Sequence, residues 1–359
     1  MKLKITMHYF KNLYIFFTIL ALTISFFSTE KVEAKAFKIN NIEISKPFEN
    51  NFNKKDIVNI GFKEAFFYLM TSLLKSSDLQ KINQTKLNEI KGMIESFSIK
   101  EERFIDQTYY VNLGVSFNKK KIFNYLESKN VFPSIPTKEN FLFLPIIIDE
   151  KIDNLIIFSN NQILDNWNKT EKKTHLIKYV LPSEDLEDYN MIKARYGFLE
   201  NYDFKEITDK YFLKNSIVGL VFKNEKGIRV LSRITIKDKI FIKNKLYLNL
   251  DLNNENQLSK FIDELKKNYE DIWKENNQIN TSIKLPLIIR ANSFDQEKLK
   301  KFEVILEEMD LVYDFSIQRF NKDHIFYEII FNGTSVNFID AMNSQEYDLD
   351  TQRKIWILK

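Results

Sequence analysis

The sequence predicts an α+β protein made of two or three small α/β modules. Segments in which apolar and polar residues alternate, as in half-buried strands, are interspersed with segments of helical apolar spacing along the whole chain. Apolar residues make up 44% and aromatic residues 14% of the 359 residues, enough to build a packed core in each module. The elements of the last eighty or so residues follow the order β-α-β-β-α-β, which predicts a ferredoxin-like domain.

The first predicted domain covers residues 37–150 and begins with an alternating strand at 37–44. The helix that follows, at 54–75, is expected to be central and buried, because apolar side chains surround most of its circumference. Charge density rises near residue 150, which marks the first predicted boundary. The remaining elements are a helix at 84–95, strands at 97–105 and 109–117, a helix at 120–128 and a strand at 141–148.

A three-strand meander dominates the second predicted domain, residues 151–253. Its strands are predicted at 216–223, 228–236 and 245–252, and Gly227 supports a hairpin turn between the first two. Ahead of the meander, the sequence predicts strands at 154–158 and 176–181, a helix that Ser183 caps, and a helix at 203–210.

The third predicted domain, residues 254–359, starts with a strongly amphipathic helix at 256–275. An internal repeat is also predicted, because residues 110–128 and 327–344 share a strand, a Phe-Asn pair and a helix. Chance similarity is the competing interpretation in a chain this rich in Phe, Asn and Ile. The ferredoxin-like elements are expected at 283–290, 296–309, 312–320, 324–331, 334–343 and 353–358.

Residues 1–36 have the pattern of an export signal. Three lysines precede an uncharged apolar run at 14–27, and Ala34-Lys35-Ala36 supplies the small residues that a signal peptidase requires before Phe37. The run of about fourteen residues is shorter than the roughly twenty that a membrane span needs. The sequence therefore predicts a periplasmic or secreted protein that is cleaved after Ala36. The alternative is an uncleaved helix that anchors the protein in the inner membrane.

Charge and cysteine content exclude several classes of function. The first 36 residues carry five Lys and two Glu, a net of +3, so the remaining chain holds only +1 of the total charge of +4. Because basic and acidic residues are interleaved, nucleic acid is not an expected partner. The absence of cysteine excludes a lipid-anchored lipoprotein, a Cys nucleophile and any thiolate metal site.

The sequence assigns no catalytic, cofactor-binding or metal-ligating residue. Beyond the signal segment there are two histidines, His175 and His324, and neither belongs to a His-x-x-x-His or His-x-Glu pattern. No phosphate-binding glycine loop or nucleophile elbow is present. Two carboxylate clusters are interpreted as a charged helix start and an exposed helix end; they are Glu184-Asp185-Glu187-Asp188 and Glu307-Glu308-Asp310.

Aromatic side chains on the predicted strands are a candidate binding face, with core packing as the default interpretation. A partner surface becomes the better interpretation if the stripe of Tyr109 and Val111, or Phe326, is exposed. The aromatic residues concerned are Tyr109, Tyr110, Tyr313, Phe315, Phe326, Tyr327 and Trp356.

Several segments after the export signal follow one another in a characteristic order. They are FKINNIEISKP, FKEAFFYLMTSLL, YYVNLGVSF with the helix after it, FLFLPIII, and KYFLKNSIVGLVF with its meander. In this order the chain resembles, over residues 37–250, a family of predicted secreted bacterial proteins, domain of unknown function number 2066. The first helix of this chain has Phe and Met where the family is expected to have small residues. The resemblance implies a periplasmic location and no catalytic residues.

These observations favour a non-catalytic cell-envelope protein that binds or scaffolds another envelope component. The expected partner is an envelope protein or a second copy of the chain, with membrane contact only through an uncleaved N-terminal helix. The alternative is an exported hydrolase of cell-wall or carbohydrate material, which would use paired carboxylates such as Glu184, Asp185 or Asp188.

Overall fold

Three β-sheets, each packed against helices, organise the part of the chain that the computed structural model describes. The described residues are 37–50, 52–170 and 172–359, and they belong to one compact unit, Ala36–Lys359. The predicted signal segment, 1–36, lies outside them. The α+β class predicted from the sequence is confirmed.

The first sheet has three antiparallel strands with helices on one face. Its elements are β1 (Lys38–Pro47), α1 (Lys54–Leu73), α2 (Ser76–Ile82), α3 (Leu87–Met93), β2 (Ile94–Ile105), β3 (Thr108–Phe117) and α4 (Lys119–Ser128). The strand order is β1-β3-β2. The helix predicted at 84–95 is therefore wrong in its extent, because the chain already forms strand β2 from Ile94. At Gly61 helix α1 lies so close to the sheet that a Cβ would come within 2.3 Å of Leu113 Cδ1.

The second sheet is mixed and has helices on both faces. Its elements are β4 (Glu139–Asp149), β5 (Asn154–Ile156), α5 (Gln162–Asn166), β6 (Ile177–Val180), α6 (Leu186–Ala194), α7 (Lys205–Thr208), β7 (Asn215–Asn224), β8 (Gly227–Ile236), β9 (Lys239–Tyr247) and α8 (Glu255–Asn276). The order is β5-β4-β7-β8-β9, and β6 also pairs with β4. The continuous apolar run of β4 is buried on both faces, as parallel strands beneath helices require.

The sheets divide the chain differently from the predicted domains. Strand β4 pairs in parallel with β7, so a boundary at residue 150 separates β4 from its own sheet. Helix α8 packs against the second sheet through Leu258, Phe261 and Ile262, among others, although it was expected in the last domain. The hydrophobic cores instead group residues 37–131, 141–273 and 285–358.

The third sheet has the element order of the ferredoxin-like prediction, with one short additional strand before the last. Its elements are β10 (Leu285–Asn292), α9 (Gln296–Glu308), β11 (Val312–Phe320), β12 (His324–Phe331), α10 (Ser335–Ser344), β13 (Leu349–Asp350) and β14 (Trp356–Leu358). Strand β10 lies between its antiparallel neighbour β12 and its parallel neighbour β14, and β11 flanks β12. The unit β10-α9-β11, with β12 between its strands, is a split β-α-β unit as predicted. A second such unit would make β14 antiparallel to β10, but β14 is parallel to β10, because β13 follows α10 and the chain reverses from β13 into β14.

The first and third sheets share a topology, as the predicted repeat requires. In each, the third strand of the module lies between the first and the second, giving β1-β3-β2 and β10-β12-β11. The second strands also share sequence, since Phe97-Ser98-Ile99 matches Phe315-Ser316-Ile317 and both strands reach an Arg-Phe pair. The first module has no counterpart of β14, because the chain leaves it to form β4 of the second sheet.

Three local predictions in the second module are corrected. The third meander strand runs from Lys239, and not over 245–252, because a turn with Lys237 at a φ of 52° reverses the chain earlier. Asp185, and not Ser183, caps helix α6, since its carboxylate accepts the N–H groups of Glu187 and Asp188. The helix predicted at 203–210 is reduced to α7 followed by a single 3-10 turn.

Candidate interaction surface

Strand β2 is a long, exposed edge of the first sheet. Eleven of its twelve residues are exposed, and only β3 pairs with it. The two strands are joined at Asp106 and Gln107, which have φ values of 48° and 56°, as a tight hairpin turn between twisted strands requires. The outer side of β2 therefore presents the unpaired backbone N–H and C=O groups of an edge strand.

Aromatic side chains lie at both ends of β2, on the face toward the helices. Phe97 is 51% exposed, and its ring lies 5.1 Å from that of Phe62 in α1, edge to face. Phe104 is 57% exposed and lies 5.0 Å from Phe48, which is itself 53% exposed. Ile99, between them on the same face, is 48% exposed. We call Phe48, Phe97, Ile99 and Phe104 the β2 patch.

A small charged network separates the two aromatic ends. Glu102 accepts a hydrogen bond from Tyr109 Oη at 2.8 Å and forms an ion pair with Lys54. The contact with Lys54 has the largest effect and that with Tyr109 the next, and together they hold the pKa of Glu102 below its usual value. Burial, and then Glu102, raise the pKa of Tyr109 to about 12. Because its charge is compensated in this way, Glu102 can lie between apolar side chains at an edge.

Lys100 is an extra residue in β2. The pairing with β3 shifts between Ile99 and Glu101, which is a β-bulge. Beyond the bulge, Arg103 pairs with Glu101 at 3.0 Å on the opposite face from the β2 patch. A bulge and a lysine are devices that limit uncontrolled pairing of edges, so β2 is an edge that restricts which strands can pair with it.

The aromatic residues predicted as a candidate face are mostly part of the cores. Tyr109, Val111 and Phe326 are buried, so the exposure on which the partner interpretation depended is not found for these residues. Tyr327 is fully buried and donates to Glu303 at 2.7 Å. Tyr313, Phe315 and Trp356 are half-buried, and Tyr110 is 41% exposed on the face away from the helices.

The two histidines lie in different modules. His175 is half-buried before β6, and burial, then Lys266 and Lys172, lower its pKa to about 4. His324 begins β12, where its backbone N–H donates to Asn321 at 2.8 Å. Among residues 37–50, 52–170 and 172–359, no group of three or more His, Asp or Glu side chains is arranged to hold a metal ion.

The side chains of the first carboxylate cluster form hydrogen bonds and ion pairs around the start of α6. Asp185 is the cap, and buried Asp188 pairs with Lys210 at 2.7 Å. Lys210 also lies 3.3 Å from Glu187 and 3.9 Å from Asp185, while Glu184 accepts from Ser159 at 3.0 Å. These contacts match the interpretation as a charged helix start, and the hydrolase alternative stays a prediction.

The second carboxylate cluster lies at the end of α9, near the first module. Glu307 and Glu308 are exposed and Asp310 is half-buried. Close by, Lys119 donates to the carbonyl of Met309 at 2.5 Å. Burial lowers the pKa of Lys119 to about 8, although Asp310 acts in the opposite direction. The hydrogen bond from Lys119 to Met309, beside this cluster, joins the first and third modules.

A buried polar row on α8 connects the second sheet to its surroundings. Glu270 accepts the backbone N–H groups of Leu176 and Ile177 at 2.9 and 2.8 Å, and Lys274 donates to the carbonyl of Thr71 at 2.5 Å. Burial raises the pKa of Glu270 and lowers that of Lys274. Lys266, one turn before, donates to Trp167 O at 2.6 Å. The row ties structural elements together through backbone groups.

A small cleft opens on the second sheet beside β9. Arg233 in its wall donates to the carbonyls of Tyr202 and Glu200 and is therefore engaged with the backbone. The cleft offers apolar walls and no cluster of reactive groups among its lining residues. These are Leu199, Glu200, Phe204, Val218, Leu220, Leu231, Arg233 and Ile242.

No family model matches the chain, and no curated protein matches it. The resemblance to the secreted bacterial family therefore remains a prediction. Within the described residues, no helix combines the length and apolarity that crossing a membrane requires.

The sequence predicted the β2 strand to within three residues at its start, but not its importance. The candidate aromatic residues included Tyr109 and Tyr110 of the neighbouring strand β3, of which Tyr109 is buried, and not Phe97 and Phe104. The available signal was the charge density of Lys100-Glu101-Glu102-Arg103, which is unusual for a central strand and typical of an edge.

Proposed function

We propose that this chain is an exported, non-catalytic protein of the bacterial cell envelope that binds a protein partner through strand β2. The observation that carries the proposal is the exposed β2 edge with its aromatic side chains. Exposed edges bind extended segments by adding a strand, where backbone hydrogen bonds supply affinity and side-chain contacts supply specificity. The near-neutral charge of residues 37–359 also favours a protein partner over a polyanion.

Export and location rest on residues 1–36 and on the family resemblance. If the signal is cleaved after Ala36, the mature protein is periplasmic or secreted, and N-terminal sequencing will begin at Phe37. An intact N-terminus in the inner-membrane fraction will support the anchored alternative instead. A cytoplasmic protein with an intact N-terminus will contradict both.

The binding function is tested by capture after chemical crosslinking in the cells that make this protein. We expect the tagged full chain to retain a partner, and the double substitution Phe97→Glu with Phe104→Glu to lose it. Phe320→Glu is the matched control, because Phe320 is 79% exposed on β11, the corresponding strand of the third sheet. Equal capture by all three proteins will show that β2 is not the binding edge.

A further inference from the structure

We propose that the occupant of the β2 edge is β2 of a second copy of this chain, paired antiparallel about a two-fold axis between Lys100 and Glu101. The inference rests on the proposed function, because it assumes that β2 is the binding edge. Such pairing would join two three-stranded sheets into one sheet of six. A two-fold interface requires a self-complementary strand, and β2 has this property.

The faces of β2 match in this pairing. On the helix side lie Phe97 and Ile99 before the bulge, and Glu102 and Phe104 after it, as their partners in β3 show. The two-fold axis places Phe97 of one copy opposite Phe104 of the other, and Ile99 opposite Glu102. Every pair then brings together side chains from the same face, as antiparallel strands require. Because of the symmetry, the Phe97–Phe104 contact forms twice.

The charges of β2 fix the register. In the proposed pairing Lys100 lies opposite Glu101 of the second copy, and Arg103 lies opposite Ser98. A slip by two residues in one direction would place Lys100 opposite Arg103 and Glu101 opposite Glu102, which is unfavourable for like charges. A slip in the other direction would place Phe97 opposite Glu102. Only the proposed register pairs both aromatic ends and opposes unlike charges.

The bulge supports the same position of the two-fold axis. Because Lys100 is the extra residue, the regular parts of β2 are 96–99 and 101–105. An axis between Lys100 and Glu101 lets the bulges of the two copies meet, so that each regular part faces a regular part. A regular strand of another protein would have to pair across the bulge without a matching bulge of its own. The irregularity that discourages other partners is therefore compatible with a second β2.

The exposed apolar area indicates a modest interface. A buried Phe accounts for about 150–250 Å², so Phe97 and Phe104, each about half exposed, contribute roughly 200 Å² per copy together. With Ile99 and the strand backbone, the contact falls at the lower end of specific interfaces, which bury roughly 1,200–2,000 Å² in total. We therefore expect a dimer that dissociates in the micromolar range rather than a permanent one.

Strand β11 is the alternative edge, since it shares Phe-Ser-Ile and Arg-Phe with β2. Pairing of β2 with β11 of another copy would be head-to-tail and would give open chains rather than dimers. The start of β11 is already occupied, because Tyr313 donates to Asn124 at 3.0 Å and Lys120 pairs with Asp314 at 2.6 Å, both from α4. Among the described residues, the side-chain hydrogen bonds and ion pairs of β2 residues 97–104 join them to β1, α1, β3 and β2 itself, and not to helix α4.

Disulfide trapping tests the register directly, because the chain has no cysteine of its own. Opposed residues of antiparallel strands have Cα atoms about 4.5–5.5 Å apart, within the range of a disulfide. We expect Phe97→Cys mixed with Phe104→Cys, both in the full chain, to form a crosslinked dimer under mild oxidation. Each variant alone should not, since equivalent residues would lie about 23 Å apart.

Two results would overturn the register. One is a crosslinked dimer of Phe97→Cys alone at the yield of the mixture. The other is no dimer from the mixture at concentrations of about 100 µM, well above the expected dissociation range. A mixture of Ile317→Cys and Phe104→Cys is the control, and efficient crosslinking there would show that β11 is the partner strand.

Light scattering on the full chain separates this inference from the proposed function. We expect a concentration-dependent dimer in the native protein, a monomer for Phe104→Glu, and a dimer for Phe320→Glu. If the native protein is a monomer at about 100 µM while Phe104→Glu still loses a different partner from cells, the inference fails and the proposed function stands. If Phe104→Glu changes neither oligomeric state nor capture, both fail.

Discussion

Phe48 and Phe104 meet edge to face with their ring centroids 5.0 Å apart, yet each exposes more than half of its side chain. Phe48 is held beside the β2–β3 turn, where its N–H donates to the carbonyl of Gln107 at 2.7 Å. Monomeric proteins rarely leave large aromatic side chains grouped at a free strand edge without a partner. This pair therefore marks one end of the surface that we assign to binding.

The exposed aromatic residues should contribute little to the stability of the isolated chain. Because Phe104 is 57% exposed, we expect Phe104→Glu to lower the free energy of unfolding by no more than about 1 kcal/mol. Urea denaturation below the dimerisation range measures this. The buried Phe302→Ala, with an expected loss of about 3–5 kcal/mol, is the comparison. If Phe104→Glu lowers the free energy of unfolding as much as Phe302→Ala does, Phe104 is part of the hydrophobic core.

The buried carboxylate of Glu270 should be a major contributor to stability. It accepts two backbone N–H groups at the start of β6, which Glu270→Ala would leave unpaired. We expect a loss of about 3 kcal/mol, since each unsatisfied buried group costs about 1–3 kcal/mol. Glu270→Gln keeps an acceptor oxygen and should lose less. Equal losses for both variants in urea denaturation would show that the charge, and not the acceptor, is what matters.

His175 should make the protein sensitive to acid. Its pKa is lowered to about 4 by burial and by the nearby cations Lys266, Lys172 and Lys274, against the opposing charge of Asp263. Between pH 4 and 6.5 the unfolded chain binds more protons at this histidine, so stability falls as the pH falls through that window. We expect His175→Gln to reduce this loss by on the order of 1 kcal/mol, allowing for solvent screening of a half-exposed group.

The control for this prediction is His324→Gln, measured by urea denaturation over the same pH range. His324 begins β12 of the third sheet, and the lysines that lower the pKa of His175 belong to a different module. If both variants respond to pH in the same way as the native protein, His175 does not carry the acid sensitivity.

Lys119 should give a rise in stability at alkaline pH. Burial lowers its pKa to about 8, below its value in the unfolded chain. Between about pH 8 and 10 the unfolded chain therefore binds more protons at this residue, and stability increases with pH. Lys119→Met should abolish a gain on the order of 2 kcal/mol, whereas Lys138→Met, at an exposed lysine, should keep it. An unchanged pH profile of Lys119→Met in thermal denaturation would contradict this assignment.

Elements with strong local periodicity were predictable from the sequence. Strands β11 and β12 were predicted with the bounds that the structure shows, and α8 to within one residue at each end. In these segments the apolar spacing, the caps and the turn residues all indicate the same element. Helix α10 is a further case, since Thr334, the first residue of the predicted range, is its cap and its side chain accepts from Asn337 N at 3.2 Å.

The features that the sequence did not predict depend on contacts between distant parts of the chain. The sequence of β4 shows that it is buried, but not that β7, some seventy residues later, pairs with it. From the sequence alone Glu270 is expected to be an exposed charge on the helix, because its contact with β6 forms only in the folded chain. The β2 surface was not predicted for the same reason, because a strand is an edge only when the strand order leaves one of its sides unpaired.

Photocrosslinking from Ile99 in cells tests the central claim, that β2 binds a protein, most directly. A photoreactive residue replaces Ile99 in the full chain, and Ile242 on the β9 edge, which is 60% exposed, is replaced as the control. We expect a discrete crosslinked species from position 99 that is absent from position 242. No crosslinked protein from position 99, or the same products from both positions, would contradict it.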